Sequence, residues 1–382
     1  MNEEIIIRKI DDRKGMKDFL QVARDIYKGY KQYVPDWEGD IVDFFNPEKN
    51  PGLAFSDVQP FVAYRHNEPI GRIAGIVNHK ANQRWQVRNV RFSMMEFIDD
   101  VEVSAALLHA VAEWGTEKGM DTLQGPMGIT DFDKEGMLVE DFSLEGSMSA
   151  YYNPDYYPRH VEAFGMRKET DWVQIRIDVP KEVPAKYSRV AQYVREQMRL
   201  RVVKATKKEM MQGGMGRKVF QLLNEAYKPI FGFSELSEAQ IDYFVEKYVQ
   251  LIDLKLVPVV LNELDEVVGV AITMGSLSGA LIKSQGRLWP MGWYHLLKSL
   301  RWKPEDHAEM LLIGVRPDYQ GMGVNALFFD DLIPIYNKYG FRRAETGPQL
   351  EDNVRELSQW KPLHPQYVKR RRCYMMKLTI DK

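Results

Sequence analysis

A pair of glycines between an apolar run and a helical pattern is the most chemically informative feature of the sequence. Residues 311–315 form an apolar run typical of a buried strand, and Pro317 ends it. Gly321 and Gly323 follow, and periodic apolar residues from Val324 onward predict a helix. Glycines let the backbone approach a ligand closely, and the free N–H groups at a helix start attract anions. The pattern therefore predicts a phosphate-binding loop.

No lysine follows the second glycine, so the loop is not a nucleotide P-loop. It resembles instead the acyl-CoA-binding signature of the GNAT (GCN5-related N-acetyltransferase) superfamily, Gln/Arg-x-x-Gly-x-Gly/Ala. Here the signature reads Gln320-x-x-Gly323-x-Asn325. Asn325 departs from the usual small residue, and its side chain either narrows the last turn of the loop or adds a hydrogen-bond donor to it.

The resemblance implies that acetyl-CoA or another acyl-CoA is the co-substrate. It also implies that the strand and loop bind this co-substrate, and that an asparagine further along the chain lies beside the pantetheine arm. The implied cofactor-binding residues are Ile313, Gly314, Val315, Gln320, Gly321, Met322, Gly323, Val324, Asn325, Ala326 and Asn353.

Acyl transfer from a thioester to an amine needs a base, a donor to the carbonyl oxygen and an acid for the leaving thiolate. Glu309 precedes the loop on the same predicted strand, where some GNAT members carry a catalytic glutamate. Strand alternation would point Glu309 into the cleft, and partial burial would raise its pKa toward neutrality. The alternative is a solvent-facing glutamate at a strand start. Histidines 295, 307 and 364 are further candidates, without a motif to support them.

The general acid is harder to assign. Many GNAT enzymes carry a tyrosine at a fixed distance after the asparagine, and here that position is Trp360. An indole does not protonate a thiolate, so Trp360 would only form the wall of a pocket. Tyr367 and Tyr374 lie farther along and are substitutes, and solvent is a third source of the proton.

The sequence repeats one pattern twice. The helix predicted over residues 324–341 aligns without gaps with residues 103–120, and a Gly-Pro pair follows each copy. Two β-runs around a polar turn, 60–71 and 258–269, also resemble each other. The chain is therefore predicted to be two copies of one module.

We expect an α/β (α+β) fold with two tandem GNAT-type modules, each a mixed central β-sheet flanked by helices. Pro180 and Pro184 interrupt regular structure between the copies. The predicted modules are 1–179 and 180–382. In the first module three carboxylates, Asp99, Asp100 and Glu102, replace the glycine loop. They would repel a pyrophosphate or simply cap the helix, so this module is predicted to be degenerate and either structural or substrate-shaping.

The composition excludes several classes of protein. The net charge of −2 over 382 residues argues against nucleic-acid binding driven by charge. Cys373 is the only cysteine, which excludes an internal disulfide and a cysteine metal cluster, and no metal site is expected. No apolar run reaches the roughly 18 residues that span a membrane, and the acidic start lacks a signal core. We therefore expect a soluble cytoplasmic protein.

Residues 287–303 are basic and aromatic. Trp293, Leu296, Leu297 and Leu300 follow helical spacing, with Lys298, Arg301 and Lys303 toward the other side. Such a helix would make peripheral contact with a membrane or line a groove for an apolar substrate. The alternative is that it packs as inter-domain core.

These features predict an acyl-CoA-dependent N-acyltransferase that acylates a primary amine, either a small molecule or a lipid-like amine. An aminoacyl-tRNA-dependent transferase of the peptidoglycan-bridge type is one alternative, although the intact loop and near-neutral charge count against it. A non-catalytic acyl-CoA-binding protein is the other, favoured by Trp360 in place of the tyrosine. The acceptor amine, the acyl chain length and the oligomeric state remain open.

Overall fold

A computed structural model describes residues 4–302 and 304–379. Its strands are β1 (Ile6–Lys9), β2 (Ser56–Arg65), β3 (Glu68–Asn78), β4 (Asn89–Phe97), β5 (Thr122–Gly125), β6 (Met137–Leu138), β7 (Arg167–Asp178), β8 (Arg201–Val203), β9 (Val259–Leu261), β10 (Val267–Gly275), β11 (His307–Val315), β12 (Arg343–Thr346), β13 (Gln349–Leu350) and β14 (Gln366–Lys377). Its α-helices are α1 (Arg13–Ile26), α2 (Glu38–Phe44), α3 (His79–Trp85), α4 (Val101–Glu117), α5 (Tyr156–Ala163), α6 (Ala185–Gln197), α7 (Lys207–Met211), α8 (Met215–Tyr227), α9 (Glu238–Leu251), α10 (Ser278–Ser284), α11 (Gly292–Leu297), α12 (Val324–Tyr339) and α13 (Val354–Ser358).

The chain divides into two compact units that are not contiguous in sequence. Unit 1 comprises Met1–Val173, Leu281–Trp293 and Lys369–Lys382. Unit 2 comprises Gln174–Ala280 and Tyr294–Val368. The two modules predicted above are defined by the sequence repeat rather than by compactness, and their bounds remain a prediction.

The sheet of unit 1 has the strand order β1-β2-β3-β4-β5-β14-β7, of which β7 contributes its first part. Its neighbours from β1 to β4 are antiparallel, β4 and β5 are parallel, and β14 runs antiparallel to β5. Helix α4 packs on this sheet because Val103, Leu107 and Val111 recur at helical spacing and are all fully buried.

The sheet of unit 2 has the order β7-β12-β11-β10-β9-β8, with the last part of β7 at its edge. Strands β11 and β12 are parallel. The pairs β10–β11, β9–β10, β7–β12 and β8–β9 are antiparallel. Helix α12 covers one face through Leu327, Phe328 and Leu332, which belong to the main core cluster of this unit. Left-handed glycines, Gly323 and Gly340, bound the helix at its two ends.

The predicted α/β class, with mixed sheets flanked by helices, is confirmed. Both copies of the repeated helix form, as α4 and α12, and the repeated β-runs become the antiparallel pairs β2–β3 and β9–β10. Within the described residues, no helix is both long and apolar enough to cross a membrane.

Candidate functional site

Strand β11 loses one neighbour halfway along its length. It pairs in parallel with β12 from His307 to Met310, and β12 ends at Thr346. Residues 312–315 of β11 pair with β10 alone among the described strands, and Leu311 lies at a β-bulge without a partner in that register. The backbone that leads to the glycine loop therefore has no strand partner on the side away from β10 among the described strands.

The glycine loop adopts the conformation that its sequence predicts. Gly321 and Gly323 have φ angles of 80° and 87°, in the left-handed region that side chains rarely adopt. A Cβ atom on Gly321 would meet nothing within 4 Å, whereas one on Gly323 would lie 2.6 Å from Val190 Cγ1. Gly323 is thus required for close packing as well as for its backbone angle.

The amide groups of this loop are available to an anion. Gly323 is the N-cap of α12 and has no side-chain cap. The N–H groups of Gly321, Gly323 and Val324 have no acceptor among the described residues. Because the helix dipole adds partial positive charge at this end, the loop is suited to bind a phosphate.

The side chains of Gln320 and Asn325 do not fill the loop. Gln320 Nε2 donates to the Val315 carbonyl at 3.0 Å, which holds the loop against the end of β11. Asn325 Nδ2 donates to Gln359 Oε1. The amide nitrogen of Asn325 therefore hydrogen-bonds outside the loop, and the effect of its side chain on the last turn of the loop stays a prediction.

Sequence reasoning missed one cation beside the loop. Arg355 on α13 is exposed, and its Nη1 lies 3.5 Å from Gln320 Oε1. A guanidinium in this position supplies a second positive contact for a phosphate. No local motif marks Arg355, because only the fold brings α13 close to Gln320.

The remaining predicted binding residues have mostly backbone or packing roles. The Ile313 carbonyl accepts a hydrogen bond from the Tyr227 hydroxyl at 3.0 Å. A Cβ on Gly314 would lie 2.7 Å from Leu223 Cδ2, so this glycine allows α8 to pack closely on β11. Met322 is 51% exposed, whereas Ala326 is buried.

Asn353 and Trp360 stabilise the local structure. Asn353 is the N-cap of α13, and its Oδ1 accepts a hydrogen bond from the Glu356 N–H at 3.3 Å. Trp360 is 3% exposed and packs edge-on against Phe329, with ring centroids 5.1 Å apart. The contact of Asn353 with a pantetheine arm remains a prediction.

The tyrosines considered as substitute acids differ in exposure. Tyr374 is fully buried in the core of unit 1, and its hydroxyl donates to Glu162 at 3.0 Å. Tyr367 is 52% exposed. Neither has a described contact with the glycine loop.

Glu309 lies in a buried polar cluster of unit 2. Its side chain is 3% exposed, so the alternative of a solvent-facing glutamate is wrong. Its Oε1 accepts hydrogen bonds from the hydroxyls of Ser276 at 3.0 Å and Ser278 at 3.4 Å. Glu309 is also in register with Glu345 on the parallel neighbour β12, so the two carboxyl groups share one face of the sheet. The arrangement suits a proton acceptor, and its catalytic role remains a prediction.

A second carboxyl group, that of the half-buried Glu356, is joined to the start of α12 by hydrogen bonds. Asn325 donates to Gln359, and Gln359 Nε2 donates to Glu356 Oε1. Burial raises the pKa of Glu356 to about 7, although hydrogen bonds to its carboxylate oppose the shift. Sequence reasoning did not identify Glu356, because its position in α13 resembles that of any helical glutamate.

In unit 1, the segment that the sequence repeat aligns with the glycine loop forms the capped start of α4. Asp100 is the N-cap of α4 and accepts a hydrogen bond from the Glu102 N–H. Its carboxylate also pairs with Arg65 at 2.7 Å. The capping interpretation of this acidic segment is therefore confirmed for Asp100.

The basic aromatic segment is helical across the predicted positions 293–300, but it changes its type of helix within them. Helix α11 covers Gly292–Leu297, and a π-helical turn, Lys298–Trp302, follows it. Lys303 lies outside the described residues. The most exposed apolar side chains of the segment are Leu288 (47%), Trp289 (78%), Met291 (53%), Trp293 (44%) and Trp302 (63%).

Comparison with known proteins agrees with the fold. No family model matches the chain. The chain is 26% identical over 322 residues to the bacterial ceramide synthase of Caulobacter vibrioides, covering 84% of this chain and 82% of that protein. It is 23% identical over 320 residues to protein YghO of Escherichia coli, covering 82% and 80%.

Comparison with solved structures also agrees with the fold. A tandem GNAT protein from the clavulanic acid biosynthesis pathway superposes with a TM-score of 0.57 at 12% identity, covering 99% of this chain and 100% of that one. A GNAT protein from Sphaerobacter thermophilus gives 0.50 at 11% identity, covering 98% and 96%. The protein therefore has the tandem GNAT fold, which confirms the family resemblance predicted from the loop. Fold and relatives together support an acyltransferase.

Proposed function

We propose that the protein is an acyl-CoA-dependent N-acyltransferase whose acyl-CoA site lies in unit 2. One observation carries the proposal: a left-handed glycine loop with free N–H groups opens α12 at the end of a strand that lacks a neighbour on one side. The pyrophosphate would bind the N–H groups of Gly321, Gly323 and Val324, and Arg355 would add a charged contact. The thioester arm would extend along residues 311–315 of β11.

The reaction would require removal of a proton from the ammonium form of the acceptor. Glu309 is the proposed base because its carboxyl group is buried and because it belongs to β11, the strand that leads to the glycine loop. Glu356 is a second titrating group of unit 2, and a pKa of about 7 would let it give or take a proton near neutral pH. The free amine then attacks the thioester carbonyl, so that a C–N bond forms and the C–S bond breaks. The nitrogen loses a second proton, and the leaving thiolate takes up one proton to give free CoA.

We propose an apolar, lipid-like primary amine as the acceptor. The relative from Caulobacter vibrioides is called a ceramide synthase, and a ceramide is an amide of a long-chain amine. The exposed Trp289 and Trp293, with Lys298 and Arg301 following in the chain, would support peripheral contact with a membrane that holds such an amine. The exposure of these side chains does not favour the alternative that they form an inter-domain core.

Two other functions predict different outcomes in the same assay. The purified protein is incubated with acetyl-CoA or palmitoyl-CoA and a long-chain primary amine, and free thiol is measured over time. Amine-dependent thiol release supports the proposal. CoA binding without thiol release would favour a non-catalytic binding protein, and activity only with aminoacyl-tRNA would favour a peptidoglycan-bridge type of transferase.

A further inference from the structure

Two serine hydroxyls hold one carboxylate oxygen of Glu309. Ser276 Oγ lies 3.0 Å and Ser278 Oγ lies 3.4 Å from Glu309 Oε1. Both serines are buried, at 1% and 0% exposed, and all three residues belong to unit 2. Hydrogen bonds from buried side chains fix the orientation of the group that accepts them, so the serines affect the base of the proposed reaction.

The segment that carries the two serines is tied to the start of β11. Ser276 directly follows β10, the antiparallel neighbour of β11. Its N–H donates to the His307 carbonyl at 3.0 Å, and the Gly279 N–H donates to Glu305 Oε1 at 2.7 Å. The backbone between these two bonds, which includes Ser278, is therefore held beside the strand that bears Glu309.

The hydroxyl pair can serve both protonation states of the carboxyl group. Ser276 Oγ accepts a hydrogen bond from the Ser278 N–H at 3.1 Å and lies 3.0 Å from Ser278 Oγ. While Glu309 is ionised, the Ser276 hydroxyl donates to it. After Glu309 takes a proton, the same hydroxyl can donate to Ser278 Oγ and accept from Glu309, because a hydroxyl is both a donor and an acceptor.

The neighbouring carboxyl group has a different kind of partner. Glu345, in register with Glu309 on β12, accepts two hydrogen bonds from Arg176, at 3.0 Å and 2.9 Å. A guanidinium stabilises the ionised carboxylate with a full positive charge, which opposes protonation. Hydroxyls stabilise the ionised form less strongly. Glu309 is therefore the carboxyl group of this pair that is suited to accept a proton.

We infer that Ser276, assisted by Ser278, is a positioning residue for Glu309 during acyl transfer. This role rests on the proposed function, in which Glu309 is the base. In the step concerned, an N–H bond of the acceptor ammonium breaks, an O–H bond forms on the carboxyl group, and the electron pair stays on the nitrogen. The hydroxyls hold the ionised carboxylate in one orientation before this step and reverse their hydrogen bonding after it.

The pH dependence of the step belongs to Glu309 in a defined setting. The charged and titratable groups on the elements next to it are Glu345 on β12, its partner Arg176 on β7, His307 and Glu305 near the start of β11, and Tyr227 at the end of α8. Substitution of a serine leaves all of these groups in place. A change in the pH profile can therefore be attributed to the missing hydroxyl.

The test is the pH profile of amine-dependent thiol release by the full chain, with palmitoyl-CoA and a long-chain primary amine. Ser276→Ala removes a hydrogen bond to the ionised carboxylate, so the acid limb of kcat should move to higher pH by about 1 to 2 units, with KM for acyl-CoA unchanged. Ser278→Ala should move the limb less, because its hydroxyl lies farther from Oε1. Ser276→Thr keeps the hydroxyl and should retain the parental profile.

Ser188→Ala is the matched control. The Ser188 hydroxyl donates to the Asp330 carboxylate at 3.3 Å in the same unit, and the proposed chemistry does not use this carboxylate. The control should leave the profile unchanged. An unchanged profile in Ser276→Ala overturns the inference. Equal shifts in the alanine and threonine variants would attribute the change to packing and overturn it as well.

A second measurement does not depend on activity. The Ser276 hydroxyl stabilises the ionised carboxylate of the folded chain, so the fall in Tm caused by Ser276→Ala should grow as pH rises. This growth should vanish in a Glu309→Gln background. A fall in Tm that is the same at every pH overturns the inference. Absence of thiol release from the parent chain instead contradicts the proposed function, and the Tm comparison then decides whether the hydroxyls bind the ionised carboxylate.

Discussion

Gly323 at the start of α12 packs directly against Val190 of α6, where a Cβ atom would come within 2.6 Å of Val190 Cγ1. Substitution of Gly323 would therefore disturb helix packing together with any ligand site. Gly321 has the same left-handed conformation, and a Cβ there would meet nothing within 4 Å. Gly321 is the glycine at which ligand binding can be changed without displacing α6.

Gly321→Asp is expected to weaken acyl-CoA binding at least about tenfold, because a carboxylate would enter the loop and oppose the pyrophosphate. Gly321→Ala should have a much smaller effect, since it adds only the backbone strain of about 1 kcal/mol. Gly340→Asp is a matched control: it lies at the other end of α12, has a φ of 77° and also has open space. Calorimetric titration with CoA measures all three, and equal affinities would show that the loop is not the pyrophosphate site.

Glu309→Gln is expected to lower kcat by about 10²- to 10⁴-fold while leaving the affinity for acyl-CoA unchanged. The amide keeps the size of the side chain and its contact with Ser276, but it does not accept a proton. Glu246→Gln, an exposed substitution in the same unit, is the control. Thiol release under saturating amine measures the rate, and full activity in Glu309→Gln would exclude it as the base.

Glu356 should make the protein less stable as pH rises. Its folded pKa of about 7 exceeds the usual value of 4.5, so between these values the unfolded chain binds fewer protons than the folded one. The stability of the folded state therefore falls from about pH 4.5 to about pH 7. Glu356→Gln should remove part of this fall, on the order of 1 to 3 kcal/mol, and raise Tm near pH 8.

The control for this measurement is Glu196→Gln, which changes an exposed glutamate of α6. Thermal unfolding of both variants and the parent chain is followed at several pH values. A difference between Glu356→Gln and the parent that does not grow with pH would show that this carboxyl is not protonated in the folded state.

Replacing Trp289 and Trp293 together with serine is expected to abolish binding to anionic lipid vesicles. Each large apolar side chain contributes roughly 1.5 to 3 kcal/mol on burial, so the loss should exceed about tenfold in affinity. Since both side chains are exposed, Tm should change little. Trp85→Ser, which changes another exposed tryptophan of unit 1, is the control. Co-sedimentation with phosphatidylglycerol vesicles measures binding, and a large fall in Tm would identify the segment as core.

The glycine loop could be predicted from sequence because its determinants are local. An apolar strand, two glycines and an amphipathic helix follow one another within a short stretch, and each has its own propensity. The helix pattern of residues 324–341 recurs at residues 103–120, and this repeat independently supported the prediction of two modules. The helical spacing across residues 293–300 is met by α11 and the π-helical turn from Lys298, but the spacing does not specify where the type of helix changes.

Long-range polar pairs could not be predicted. A run of basic residues, 369–372, is expected at a surface, whereas Arg371 is fully buried in β14. Asp171, 1% exposed in its side chain, pairs with Arg370 and Arg372. The hydroxyls of Tyr27, just after α1, and of Tyr157, in α5, likewise come from distant parts of the sequence, and both donate to Glu96. Only the strand order places these groups together, and side-chain periodicity does not specify strand order.

The strand order of unit 1 has a consequence for biosynthesis. Strand β14 lies between β5 and β7 in this sheet, and it is the last strand of the described chain. A ribosome makes the other strands of this sheet long before β14, so β5 and β7 emerge without the neighbour that separates them. Unit 1 cannot complete its sheet during most of translation. A messenger truncated after residue 179 would encode a product with an open gap between two hydrophobic strands, exposed to aggregation and proteolysis.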